Sequence, residues 1–170
     1  MKSIVIFYSR AGYNYVNGEI KNLKVGNTEV IAKKIAEISK SSLFKIEQTH
    51  PYSNDYSECI DEAKRDQRLE VRPEIKEFPN NLKEYDVIFL GFPNYWGTMP
   101  MAVFTFLENT NLDGKTIRPF CSHEGSGFGR SIEDIKRICP KAKIEKGIDI
   151  HGAIINEEKL RNWIKGEEEK

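Results

Sequence analysis

A chain of 170 residues has room for one domain of ordinary size, and hydrophobic residues at 39% against 31% charged exclude a disordered chain. Lysine plus arginine is 26 and aspartate plus glutamate is 26, so a net charge of zero gives no electrostatic case for nucleic acid or an anionic membrane. No apolar run approaches the roughly 20 residues of a membrane helix, and Ile4–Tyr8, closed by Arg10, is too short for a signal peptide.

The reading is therefore a soluble, cytoplasmic chain, with one domain over residues 1–166 and a charged tail at 167–170. Cys59, Cys121 and Cys139 are odd in number and widely spaced, which argues against a disulfide framework or a zinc site. His50, His123 and His151 form no metal-ligand spacing. With no metal and no obvious nucleophile of its own, such a chain points to a bound group as the carrier of any chemistry.

In chain order, Ile4-Val5-Ile6-Phe7-Tyr8 is a continuous apolar run, as in a strand covered on both faces. Gly26-Asn27-Thr28 opens a helix whose Ile31, Ile35 and Ile38 fall on one face. Leu43 to Glu47 predicts a second strand, and Tyr56 to Arg68 a helix striped by Tyr56, Ile60 and Ala63. Pro73 to Lys83 reads as a surface connection. Val87 to Gly91 is the strongest strand signal. Pro100 then suits the first position of a helix carrying Val103, Phe106 and Leu107.

Thr116 to Cys121 predicts a fourth strand, although Pro119 has no N–H for a ladder and by itself suggests an edge. A helix through Ile132, Ile135 and Ile138 follows, then a fifth strand from Ile144 to Ile150. Asn156 caps a last helix with Leu160, Trp163 and Ile164 inward. Five strands alternating with helices make a three-layer, doubly wound α/β sheet, in which ligands sit beyond the carboxyl ends of the strands.

Three loops stand at those ends. After the first strand, Ser9-Arg10-Ala11-Gly12 and, after thirteen intervening residues, Gly26-Asn27-Thr28 offer small hydroxyl residues, backbone amides and a helix N-terminus to an anion. The plain alternative is an ordinary capped helix. There is no G-x-G-x-x-G, and no Gly-Lys-Ser/Thr completes a nucleotide P-loop. After the third strand, Pro93, Asn94, Tyr95, Trp96, Gly97 and Thr98 place two large aromatics at the mouth of the sheet. They either fold back on the core or form a platform for a flat ring, where stacking adds roughly 0.5–1.5 kcal/mol.

After the fourth strand, Ser122, His123, Glu124, Gly125, Ser126, Gly127 and Phe128 suit close backbone approach to a ligand. Cys121 invites a phosphatase reading, but the nearest following arginine, Arg130, is too distant for one tight phosphate loop. His123 and Glu124 have acid–base chemistry, and adjacent loop residues of these types are usually just solvated.

Together the loops resemble the flavodoxin family, specifically the branch with a G-[FY]-P-x-[WY]-W-G-T-x-P loop, here Gly91 to Pro100. Tyr85-Asp86-Val87-Ile88 and Gly114-Lys115-Thr116 are smaller matches, and the resemblance runs from Ile4 to about Trp163. It implies a five-stranded parallel sheet in the order 2-1-3-4-5 with one non-covalent FMN, and a tolerated Pro119. By the resemblance, Ser9, Arg10, Asn27 and Thr28, with Ala11 and Gly26 of the same loop, hold the phosphate. Pro93 to Thr98 line the isoalloxazine, with Trp96 or Tyr95 as the stacking ring. Ser122, His123, Glu124, Gly125, Gly127 and Phe128 touch its other side and pyrimidine edge. Gly97, tolerant of both signs of φ, lets a peptide reorient toward the flavin N5 on reduction.

Two departures stand out: the phosphate loop is interrupted by Tyr13 to Val25, and the chain lacks the acidity typical of carrier flavodoxins. The leading function is an electron carrier between a reductase and an acceptor protein. The alternatives are an NAD(P)H-dependent quinone or nitro-compound reductase and a non-redox module for a phosphorylated ligand.

Overall fold

The computed structural model describes residues 2–166; the charged tail expected at 167–170 lies outside them. The central sheet contains β1 (Ser3–Phe7), β4 (Ser42–Lys45), β5 (Val87–Pro93), β6 (Thr116–His123), β7 (Lys143–Ile144) and β8 (Ile148–His151). The order is β4-β1-β5-β6-β7, with β8 also on β6, and every pairing in it is parallel. Taking β7 and β8 as two halves of one edge position, this is the predicted order 2-1-3-4-5.

Alternation sorts the side chains of β1 to two cores. Ile4, Ile6 and Tyr8 join Ile88, Leu90 and Phe92 on one face, packed under α3 (Met101–Glu108) and α4 (Ser131–Ile138). Val5 and Phe7 join Phe89 and Phe120 on the other, under α1 (Asn27–Ser39) and α5 (Glu157–Lys165). Both faces of β1 and β5 are covered, which is why these strands read as unbroken apolar runs. The three layers are thus helices, sheet and helices. The helix α2 (Tyr56–Arg68) begins where Asp55 accepts a hydrogen bond from the Glu58 N–H at 2.9 Å. Asn156 caps α5 in the same way through the Lys159 N–H. Among the described residues no helix is long and apolar enough to cross a membrane.

Several predicted boundaries shift. The strands β5 and β6 each run two residues further than expected, to Pro93 and His123, and β4 spans Ser42–Lys45 where Leu43 to Glu47 was expected. Pro100 sits at the N-cap of α3, one residue before the helix. The Pro73–Lys83 connection buries Ile75, whose bridge to Gln48 ties it to the chain after β4. The fifth strand is broken at Glu145-Lys146-Gly147, and the break lies beside Pro119 in β6. Pro119 has no N–H to give the neighbouring strand, and the chain bulges where that donor is missing. A Cβ on Gly147 would come within 2.8 Å of the Pro119 carbonyl oxygen, so only glycine passes there. Pro119 therefore occupies an interior strand, and it interrupts the edge strand next to it.

Candidate functional site

The anion cradle is built by a close approach. At the N-cap of α1, Gly26 offers no side-chain cap, and a Cβ there would meet the Ser9 Oγ at 2.3 Å and the Arg10 carbonyl at 2.6 Å. Ser9 takes the capping role from outside the helix, its Oγ accepting from the Glu29 N–H at 3.1 Å. The N–H groups of Asn27 and Thr28 are first-turn donors without intrahelical partners, at the positive end of the helix. The buried Thr28 hydroxyl lies 2.7 Å from the Ser122 Oγ and joins the start of α1 to the end of β6.

Arg10 is placed differently from its expected role. Its guanidinium donates to the carbonyls of Tyr13, Ser53 and Asn54 and to the Asn14 Oδ1. It therefore clamps the chain after β1 to the loop before α2, although it also lines the cavity.

The loop after β5 is held from all sides. Tyr95 and Thr98 pair across a two-residue turn in which Trp96 has φ 52° and Gly97 φ 88°. Positive φ at both central residues is the type I′ geometry. The Gly97 N–H donates to the Asn94 Oδ1 at 2.9 Å, and the Gly97 carbonyl accepts from the Arg130 N–H at 2.8 Å. The Trp96 carbonyl accepts from the Gln67 Nε2 at 3.2 Å, and the Thr98 N–H donates to the Tyr95 carbonyl. Each peptide flanking Gly97 is thus bonded at both ends, so reorienting either breaks two hydrogen bonds.

The two aromatics diverge. Tyr95 turns inward, edge-on to Tyr8 at 5.9 Å, and burial pushes its phenol well above the usual range. Trp96 remains 44% exposed, its Nε1 donating to the Ile60 carbonyl and the Lys64 ammonium 4.7 Å from its ring centre. The Thr98 hydroxyl leaves the site for Asp134.

At the end of β6, the His123 Nδ1 accepts the Gly125 N–H at 2.8 Å, so the ring proton belongs on Nε2, 2.8 Å from the Asp149 Oδ2. The Glu124 Oε2 accepts from the His151 Nε2 and from the Asn17 N–H, while its Oε1 is buried without a partner among the described residues. The Gly127 carbonyl accepts from the Asn94 Nδ2, joining this loop to the previous one. Phe128 packs edge-on to Phe92 in the core. Burial pushes the Cys121 thiol up to about 12, which leaves no thiolate for nucleophilic chemistry at neutral pH.

These loops enclose a cavity of about 420 Å³, within the roughly 300–1,000 Å³ of small-molecule sites. Of the predicted residues, Ser9, Arg10, Asn27, Thr28, Pro93, Asn94, Tyr95, Trp96, Gly97, Ser122, His123 and Glu124 line it. Ala11, Gly26, Thr98, Gly125, Gly127 and Phe128 do not; apart from Ala11, they shape or hold the loops. A second groove of about 590 Å³ runs along β7 and β8, but it gathers none of the three loops.

Two parts of the lining escaped the sequence reading. Tyr56, Ile60 and Ala63 were visible as a helix stripe, and this stripe faces the cavity. Asn14 and Tyr15 come from an antiparallel hairpin, β2 (Gly12–Val16) and β3 (Glu19–Leu23), which fills the interruption in the phosphate loop. Its signal is Asn17-Gly18, with φ 52° and 83°, the strongest short-range mark of a two-residue hairpin turn.

The sequence profile of the flavodoxin family matches residues 22–167. No curated protein matches significantly. A solved structure of a candidate flavoprotein from Bacteroides eggerthii is 26% identical and covers 99% of each chain with a TM-score of 0.80. A Lactobacillus acidophilus flavoprotein in complex with FMN is 18% identical, covers 87% of this chain and 92% of its own, and has a TM-score of 0.68. Flavodoxin 2 of Bacillus cereus, 21% identical over 96% of this chain and 95% of its own, has a TM-score of 0.55. The chain belongs to the flavodoxin family.

Proposed function

We propose that the chain is an FMN electron carrier, taking electrons from a reductase and passing them to an acceptor protein. Family membership makes FMN the cofactor. The residues fit it: the observation that carries the reading is the cradle at Gly26, where the lack of a side chain lets Ser9 and the Arg10 backbone pack directly against the start of α1. The N–H groups of Asn27 and Thr28 and the hydroxyl of Ser9 are suited to a phosphate, and a helix N-terminus is worth up to ~2 kcal/mol for a charge held there.

Trp96 and Tyr95 supply flat apolar surface, and Asn94 fixes the turn that presents them. His123 and Glu124 bring polar groups to the same cavity. FMN supplies one- and two-electron chemistry; the protein orients it and sets the polarity around it. No nucleophile or metal is needed for this role.

The zero net charge supports the second reading, a reductase acting directly on small molecules, because steering toward a basic protein partner is weak. Rapid mixing of the FMN-loaded protein with NADPH separates the two. The carrier reading expects reduction to be slow until an NADPH-dependent flavoprotein reductase is added. Fast reduction by NADPH alone would replace it with the enzyme reading.

A further inference from the structure

The hairpin inserted in the phosphate loop has no buried residue of its own and forms a separate two-stranded sheet, an arrangement marginal in isolation. It is nevertheless tied down on both flanks of the cavity. At its base Arg10 donates to Tyr13 and Asn14, and the Asn14 Nδ2 returns bonds to the carbonyls of Arg10 and Gly12. At its tip the Asn17 N–H reaches Glu124 in the loop after β6. Between them Tyr15 lies nearly parallel to Tyr56 of α2, with ring centres 6.3 Å apart and planes at 24°.

Both rings of that pair line the cavity, and Tyr15 is 45% exposed. Tyr13, on the same face of the same strand and 42% exposed, lies outside the lining. Within one strand, therefore, one aromatic faces the ligand space and its neighbour does not. The family match begins at residue 22, so most of the hairpin precedes it.

We propose that Tyr15 is a ligand-binding residue of this site: with Tyr56 it forms an aromatic wall, delivered by the hairpin, that covers a flat ring held in the cavity and slows its escape. This inference rests on FMN as the occupant. It assigns to the insertion a part in retention that neither the phosphate loop nor the Trp96 loop provides.

The test compares Tyr15→Ala, Tyr15→Phe and Tyr13→Ala with the unaltered chain, each stripped of flavin and titrated with FMN while flavin fluorescence is followed. Release rates on dilution and thermal midpoints are read alongside. Tyr15→Ala is expected to weaken FMN binding about three- to tenfold and to speed release similarly, the range of one aromatic contact. Tyr15→Phe and Tyr13→Ala are expected to stay within about twofold, and all three thermal midpoints near that of the unaltered chain. FMN affinity of Tyr15→Ala within twofold of the unaltered chain, or an equal loss in Tyr13→Ala, overturns the inference and leaves the proposed function intact. Failure of the unaltered chain to bind FMN overturns both.

Discussion

Two turns in this molecule share one backbone geometry and differ in what enforces it. Asn17-Gly18, at the tip of the hairpin, and Trp96-Gly97, in the loop after β5, both have positive φ at their two central residues. Asparagine adopts that conformation readily. A tryptophan there costs roughly 1–2 kcal/mol. The first turn is set by its own two residues, and its Asn17 N–H donates to Glu124 in the loop after β6. The second is imposed by Asn94, Gln67, Arg130 and the Ile60 carbonyl, each bonded to Trp96 or Gly97. Strain held by surroundings at the edge of a cavity is the pattern expected where shape serves a ligand. One turn is local chemistry; the other is tertiary.

If that contrast is right, the largest effect belongs to Gly129→Ala. A Cβ there would lie 2.2 Å from the Gly97 carbonyl oxygen, in a backbone with φ 58°. A loss of about 2–4 kcal/mol is expected in urea unfolding. Asn94→Ala comes next, because it strips bonds from both Gly97 and Gly127. It is expected to cost about 1–3 kcal/mol and to expose the Gly97 amide to hydrogen exchange. Asn17→Ala should cost about 1 kcal/mol within the hairpin, seen as faster exchange of hairpin amides with an unchanged global midpoint. A global loss instead would mean that the hairpin is part of the cooperative core.

A further effect appears only in alkali. Burial raises the Cys121 thiol from 9.0 to about 12 and the Cys139 thiol to about 11, and Tyr95 also moves up. The folded state keeps protons that the unfolded chain releases, so stability should be flat below about pH 8 and fall as pH rises from about 9 toward 12. Urea midpoints at pH 7, 9 and 10 check the slope; no decline would contradict the burial of these groups.

Much of the fold was legible because β1 and β5 are covered on both faces, leaving nothing polar to interrupt their runs. The split of the fifth strand was not, since Pro119 acts on its neighbour and not on its own strand. The hairpin was written in Asn17-Gly18, but its place over the cavity depends on Arg10 and Glu124, distant partners that no local pattern reveals. Arg10 shows the same limit from the other side: the family resemblance implied a phosphate contact, while the folded chain surrounds its guanidinium with carbonyl groups. The Tyr56, Ile60 and Ala63 stripe was visible as a stripe. Which space it faces is decided by packing.

On the proposed function, the Ser9–Gly26–Thr28 cradle seats the phosphate of FMN. Parallel titrations of the flavin-free protein with FMN and with riboflavin test it most directly. Tight binding of FMN at micromolar concentration, with riboflavin markedly weaker, is the predicted result; equal affinities, or no complex with either, would contradict it.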